Sequence, residues 1–162
     1  MIIQEDFEHL QPFVTARAFL PALLLCSWLI SPAPGADSTI GSVKAAHGNA
    51  VVRRGTETLP CQEGFHLIAQ DVLQTSKDGS VGVILQDGTR IALGPNSELK
   101  IDQFVYQPVD GKFALLIRLA RGVMAYVSGK IAQFAPEAVK VETPVGFVGL
   151  RGTHFAISLD GG

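Results

Sequence analysis

Apolar and polar residues alternate with a period of two through the centre of the chain, in three short runs between residues 81 and 101. Such alternation predicts half-buried β-strands. The Asp87-Gly88 pair separates the first two runs and predicts a two-residue hairpin loop with positive φ at both positions. Residues 94–97, Gly-Pro-Asn-Ser, predict a second turn, with proline at its first inner position. We therefore expect a compact antiparallel meander of three strands here.

The same pattern recurs on both sides of this centre. It predicts further short strands at residues 40–46, 50–54, 71–75, 113–119, 123–127, 139–142 and 153–159, and residues 104–107 extend the third strand of the meander. Leu and Ala within residues 113–119 also favour a helix. A hairpin is expected at His47-Gly48-Asn49, and Pro136 excludes a long helix over residues 131–138, which are otherwise ambiguous. About ten to twelve short strands predict an all-β domain, as a sandwich, a roll or a solenoid.

Residues 18–30, AFLPALLLCSWLI, form a strongly apolar block without charge. Its 13 residues are few for a membrane-spanning helix, Arg17 precedes them, and small residues follow up to Ala36. This is the layout of a secretory signal peptide. We expect residues 1–36 to be removed on export, which leaves residues 37–162 as a single domain in the periplasm or outside the cell. The alternative is an uncleaved signal-anchor that tethers the protein to the membrane.

Two blocks of the sequence resemble the signature of FecR-like domains and occur in the family's order. They are DGTRIALGPNSELKI at residues 87–101 and VETPVGFVGLRGTHF at residues 141–155. The resemblance extends over residues 40–160. FecR-like domains are built of stacked β-sheets with a solenoid-like path, so the resemblance implies a two-layer β-roll or sandwich of short antiparallel strands.

The resemblance also implies a function. Full-length members of that family pass a signal from an outer-membrane receptor to a cytoplasmic sigma factor. Here about sixteen residues precede the apolar block, too few for a cytoplasmic regulatory domain, so no direct sigma-factor contact is expected. We expect an exported sensing or protein-interaction module of the bacterial cell envelope, linked to signalling or iron-uptake regulation, with a protein partner there. The alternative is a carbohydrate- or peptidoglycan-binding envelope module.

The two blocks supply the candidate interaction residues. Arg151 stands out because its planar fork suits either a partner contact or a brace that locks a bend, and the sequence favours the brace. The whole set is Asp87, Gly88, Thr89, Asn96, Ser97, Thr143, Pro144, Arg151, Gly152, Thr153 and Phe155.

Composition and spacing argue against other classes of protein. The net charge is −2, residues 1–36 carry all of it, and no basic stripe favours nucleic-acid binding. His47, His66 and His154 lack the spacing of metal ligands. Carboxylates are scattered, and no nucleophile motif is present, which disfavours an envelope hydrolase. We therefore expect no catalytic residues, no metal and no cofactor, and we expect Cys61 to be buried.

The last predicted strand, residues 153–159, places Phe155 and Ile157 on one face, and a hairpin-turn signal, Asp160-Gly161, follows it. A further strand usually follows this block in the resembled family. We therefore expect either a domain truncated at its C-terminus or a last strand completed by a partner or a second copy. The alternative is that the last strand lies between two earlier strands.

Overall fold

The computed structural model describes residues 38–148 and 154–159. These residues form an almost wholly β structure with one short helix, which confirms the all-β prediction. The strands are β1 (Thr39–His47), β2 (Ala50–Arg54), β3 (Glu57–Pro60), β4 (His66–Ile68), β5 (Val72–Thr75), β6 (Ser80–Leu85), β7 (Arg90–Leu93), β8 (Glu98–Gln107), β9 (Lys112–Val127), β10 (Val139–Thr143), β11 (Gly146–Val148) and β12 (His154–Leu159). Between β9 and β10 lie the helix α1 (Lys130–Phe134) and a 3-10 turn, Pro136–Ala138.

Most of the strands join end to end into long runs that bend once. The runs are β1 with β2, β3 with β4, β5 with β6, and β7 with β8. The bend divides the sheet into two halves, and β9 alone is long enough to pair with β8 in one half and with β7 in the other. Each run lies antiparallel to its neighbours. The sheet therefore curls along one line of bends, and both of its halves contribute side chains to a single core.

The line of bends requires close approach of neighbouring backbones. A Cβ atom on Gly48 would lie 2.1 Å from the Asp78 carbonyl oxygen, and one on Gly122 would lie 2.5 Å from the Ser97 Cα. Both glycines also have positive φ, 63° and 87°. A side chain at either position would clash and strain the backbone, so glycine permits the bend.

One predicted turn and one predicted hairpin join strands end to end within a run. Pro95 and Asn96 form a turn, as predicted, but it does not bring β7 and β8 side by side. β7 does not pair with β8, and each of them pairs instead with β9 and with one further strand. The central stretch is therefore no three-stranded meander. Likewise β1 and β2 pair with β6 and β5 respectively, so His47-Gly48-Asn49 joins them end to end and forms no hairpin.

The hairpin between β6 and β7 is confirmed, but its predicted loop is wrong. The Leu85 amide donates to the Thr89 carbonyl at 2.9 Å, which leaves the three residues Gln86, Asp87 and Gly88 in the loop. Of these three, Gly88 alone has positive φ, at 85°. After two-residue loops, three-residue loops with glycine in the left-handed region are among the most common hairpin connections.

Three further details differ from expectation. β9 is one strand of 16 residues where two short ones were predicted. β10 runs parallel to β9, so the sheet is not wholly antiparallel. The turn-rich segment at residues 55–64 contains β3, whose pairing with β2 was not predicted. The ambiguous 131–138 segment forms α1 and the 3-10 turn that begins at Pro136.

Candidate functional site

Asp87 ties the β6–β7 loop to the start of α1. Its carboxylate accepts the Thr89 amide at 3.0 Å, the Thr89 hydroxyl at 2.8 Å and the Ile131 amide at 3.3 Å. Its backbone carbonyl accepts the Lys130 amide at 2.8 Å. Asp87 is 1% exposed and Thr89 is fully buried, whereas Gly88 is exposed. The predicted turn role of Asp87 is confirmed, and the side chain also holds the helix in place.

Tyr126 connects this loop to the last strand. Its ring stacks on Phe155 of β12, with centroids 4.8 Å apart. Burial raises the pKa of the Tyr126 hydroxyl, and the charge of Asp87 raises it further. The first sequence block and the last strand therefore meet across one buried aromatic ring, although about seventy residues separate them in the chain.

Ser97 holds the bend between β7 and β8. Its hydroxyl accepts the Val123 amide at 2.9 Å and donates to the Val123 carbonyl at 3.1 Å. The Ser97 amide donates to the Thr75 hydroxyl at 2.9 Å. Ser97 is fully buried, while the neighbouring Asn96 is exposed with a φ of 52°. The Ser97 hydroxyl thus replaces backbone hydrogen bonds that the bend would break.

The second sequence block contributes a hairpin and part of a strand. The Thr143 hydroxyl donates to the Gly146 carbonyl at 2.8 Å, and Pro144 lies exposed in the turn between β10 and β11. Phe155 is half-buried on the core side of β12. The remaining candidates, Arg151, Gly152 and Thr153, lie outside the described residues, so the roles predicted for them stay predictions.

The β10–β11 hairpin also exposes apolar side chains that the sequence analysis did not single out. Val145 is 87% exposed and Phe147 is 74% exposed. Phe147 also lines a cleft of about 340 Å³ together with Val139, Lys140 and Val148. The missed signal was the pair of bulky apolar residues next to Gly146, since a solvated hairpin turn normally carries polar residues.

β12 forms one lateral border of the described sheet. It pairs with β9 along Gly122–Val127, and no other strand of residues 38–148 lies beside it. Between His154 and Leu159 there is neither a Lys, Arg, Asp or Glu nor a proline. Natural sheets usually protect an edge with such residues, because unpaired backbone groups attract another strand. The β12 edge lacks that protection.

Another border of the sheet, at β3, is protected. β3 carries Glu57 and ends at Pro60, which has no amide hydrogen to donate. Close by, the Arg54 guanidinium forms two 2.8 Å hydrogen bonds to the fully buried Asp71 carboxylate and lies 5.3 Å above the Phe65 ring. Fork-to-carboxylate pairing of this kind fixes geometry as well as charge.

Other kinds of site have little support among the described residues. Residues 38–148 and 154–159 contain no group of three or more His, Cys, Asp or Glu side chains that could hold a metal ion. Cys61 is buried, as expected, and burial raises the pKa of its thiol to about 11. No helix within this part of the chain is long and apolar enough to cross a bilayer.

Comparison with protein families gives a match. The family model described as FecR protein matches residues 71–162, which is more than half of the chain and extends from just before β5 to the last residue. β1 to β4 precede the matched residues, although they belong to the same sheet. Neither the curated proteins nor the solved structures include a match to the chain.

Proposed function

The chain belongs to the FecR protein family, and from this premise we propose that it is a non-enzymatic sensing or protein-interaction module of the bacterial cell envelope. Membership of this family suggests a signalling or regulatory domain linked to iron-uptake regulation. In this proposal residues 1–36 direct export and are removed, and residues 37–162 act as one domain in the periplasm or outside the cell. Its partner is an envelope protein rather than a sigma factor.

The unprotected β12 edge is the observation that carries the proposal. An extended segment of a partner can add to such an edge, because the free backbone groups supply hydrogen bonds and the alternating side chains supply specificity. Exposed Val145 and Phe147 add apolar surface on the β10–β11 hairpin. Large exposed apolar residues are typical of a surface that another protein covers.

The buried motif residues have a supporting role in this proposal. Asp87, Thr89 and Ser97 are inaccessible to a partner, and they fix the loop and the bend that position β9. β9 in turn pairs with β12 and so positions it. Of the candidate interaction residues, Phe155, Thr143 and Pro144 are those that lie on β12 or on the β10–β11 hairpin.

A capture experiment with matched variants tests the proposal. The bait is the full chain, as wild type, as Ala156→Lys on the solvent face of β12, and as Thr58→Lys on the protected β3 edge. The wild type and Thr58→Lys are expected to retain the same protein from an envelope extract, and Ala156→Lys is expected to lose it. Equal capture by all three baits would show that β12 is not the binding edge.

The same three proteins separate the proposal from its alternative. Each is sedimented with purified peptidoglycan and with a neutral polysaccharide. Co-sedimentation of all three with peptidoglycan, together with no protein captured in an edge-dependent way, would favour the carbohydrate-binding alternative. Export is tested on the same sample, because Trp28 is the single tryptophan of the chain. The exported form should lack indole fluorescence, and indole emission from it would disprove cleavage after residue 28.

A further inference from the structure

β12 presents a different set of side chains on each face. Phe155, Ile157 and Leu159 are half-buried and pack against the core, while His154, Ala156 and Ser158 are exposed. β9 occupies one edge of the strand, and among the described residues no strand occupies the other. A strand that completes this edge must continue the apolar row on the core side and present small or polar residues to solvent.

A second copy of β12 meets that requirement in antiparallel orientation. With a two-fold axis normal to the sheet at Ile157, Ile157 of one copy faces Ile157 of the other. Phe155 of each copy then faces Leu159 of the other, and Ala156 faces Ser158. With the axis at Ala156 instead, Phe155 opposes Ile157. In both registers apolar residues face apolar residues and solvent-facing residues face one another, so neither face is interrupted.

Charge does not oppose this pairing. The six residues of β12 include no acidic or basic side chain apart from His154 at the start of the strand. Opposed like charges would destabilise two identical strands, and here the centre of the pair has none. A two-fold contact also uses the free edge of both chains, so the assembly closes as a dimer and does not grow into a fibre.

We propose that the partner at the β12 edge is a second copy of this chain, paired antiparallel through β12 as a two-fold dimer. This inference rests on the proposed function, because it names the occupant of the same edge. The pairing extends the curled sheet across two molecules and covers the apolar row of each. Val145, in the β10–β11 turn, and Phe147, on β11, are not part of this strand pair.

Sedimentation of the full chain over a wide range of concentrations tests the inference. The wild type and the Thr58→Lys control are expected to dimerise with equal affinity. Ala156→Lys and Ala156→Glu, each alone, are expected to weaken dimerisation by about tenfold or more, because like charges meet near the axis. Mixing the two variants in equal amounts is expected to restore the dimer, since opposite charges then face each other.

Cysteine cross-linking tests the register. Under mild oxidation, Ala156→Cys alone should form a covalent dimer if the axis lies at Ala156, and Ala156→Cys with Ser158→Cys should form one if the axis lies at Ile157. Thr58→Cys on the β3 edge is the matched control and should stay monomeric. The buried thiol of Cys61 is not expected to interfere.

Several results would overturn the inference. A wild type that stays monomeric at every concentration would do so, as would a dimer that Ala156→Lys leaves unchanged. A monomeric wild type whose capture of an envelope protein still depends on Ala156 would reject the dimer and keep the proposed function. Dimerisation and capture that are both unaffected by Ala156→Lys would reject the two proposals together.

Discussion

At the β3 edge of the sheet, Pro60 removes a backbone donor, Glu57 adds charge, and the Arg54–Asp71 pair braces the adjoining loop. At the β12 edge, six residues that include no Lys, Arg, Asp, Glu or proline leave the backbone groups open. Both borders belong to one continuous sheet with one core. The difference therefore lies in local sequence, and it indicates which border has to stay separate from other strands and which can accept one.

Removing the brace at the protected border should have the largest effect on stability. Arg54→Met leaves the Asp71 carboxylate, which is fully buried, without its charged partner. Breaking such a pair costs about 3 kcal/mol of unfolding free energy, which urea denaturation measures. The control is Ala at the exposed neighbour, Arg53, where a change within about 0.5 kcal/mol is expected. Equal stability of the two variants would contradict the role of the brace.

The motif residues that support β9 should come next. Ser97→Ala leaves the Val123 amide without its acceptor at the bend, and an unsatisfied buried group costs about 1–3 kcal/mol. Below its melting temperature the folded variant should bind its partner at the β12 edge as the wild type does. A variant that keeps full stability and loses binding would show that Ser97 is a contact and not a support. Ser38→Ala, at an exposed serine before β1, is the control.

A smaller effect is expected from the thiol that lies beyond β3. Because burial raises the pKa of Cys61 from its ordinary value of 9.0 to about 11, the neutral thiol favours the folded state. This contribution is complete below pH 9 and is lost as the pH rises through 11. The raised pKa of Tyr126 acts in the same direction. The melting temperature of the wild type should therefore fall more steeply over this range than that of Cys61→Ala. Parallel pH profiles would contradict the burial of the thiol.

The smallest effect on stability is expected at the open border itself. Ala156 points to solvent, so Ala156→Lys should change the unfolding free energy by less than about 0.5 kcal/mol. Thermal melting at low protein concentration, where the chain is monomeric, measures this value. A large loss of stability would mean that the lysine disrupts the fold, and its effect on binding could then not be assigned to the edge.

The strands could be predicted from the sequence because a strand's alternation is local. Residues 50–54 form β2 with the predicted bounds, and Val139–Thr143 extends the prediction by one residue. The pairing of strands could not be predicted in the same way. A Gly-Pro-Asn-Ser segment is compatible with a chain reversal and with a bend, and the contacts of Ser97 with Thr75 and Val123 decide between them.

The site was predicted only in part for the same reason. The two sequence blocks contain Phe155 and the β10–β11 hairpin, but residue type alone could not show that Asp87, Thr89 and Ser97 are buried. Nor could the sequence show which strand becomes a border, since this depends on the order of all the strands. The lack of protecting residues on β12 is visible in the sequence, and it acquires meaning only once the strand is placed at an edge.

Site-specific photo-crosslinking in living cells tests most directly whether β12 is the interaction edge. A photoreactive amino acid is placed at Ser158 on β12 or at Thr58 on β3, in the full chain expressed at its natural level. We expect light-dependent adducts from position 158, including a band with the mass of two chains, and none from position 58. Adducts of equal yield from both positions, or from position 58 alone, would contradict the assignment of binding to the β12 edge.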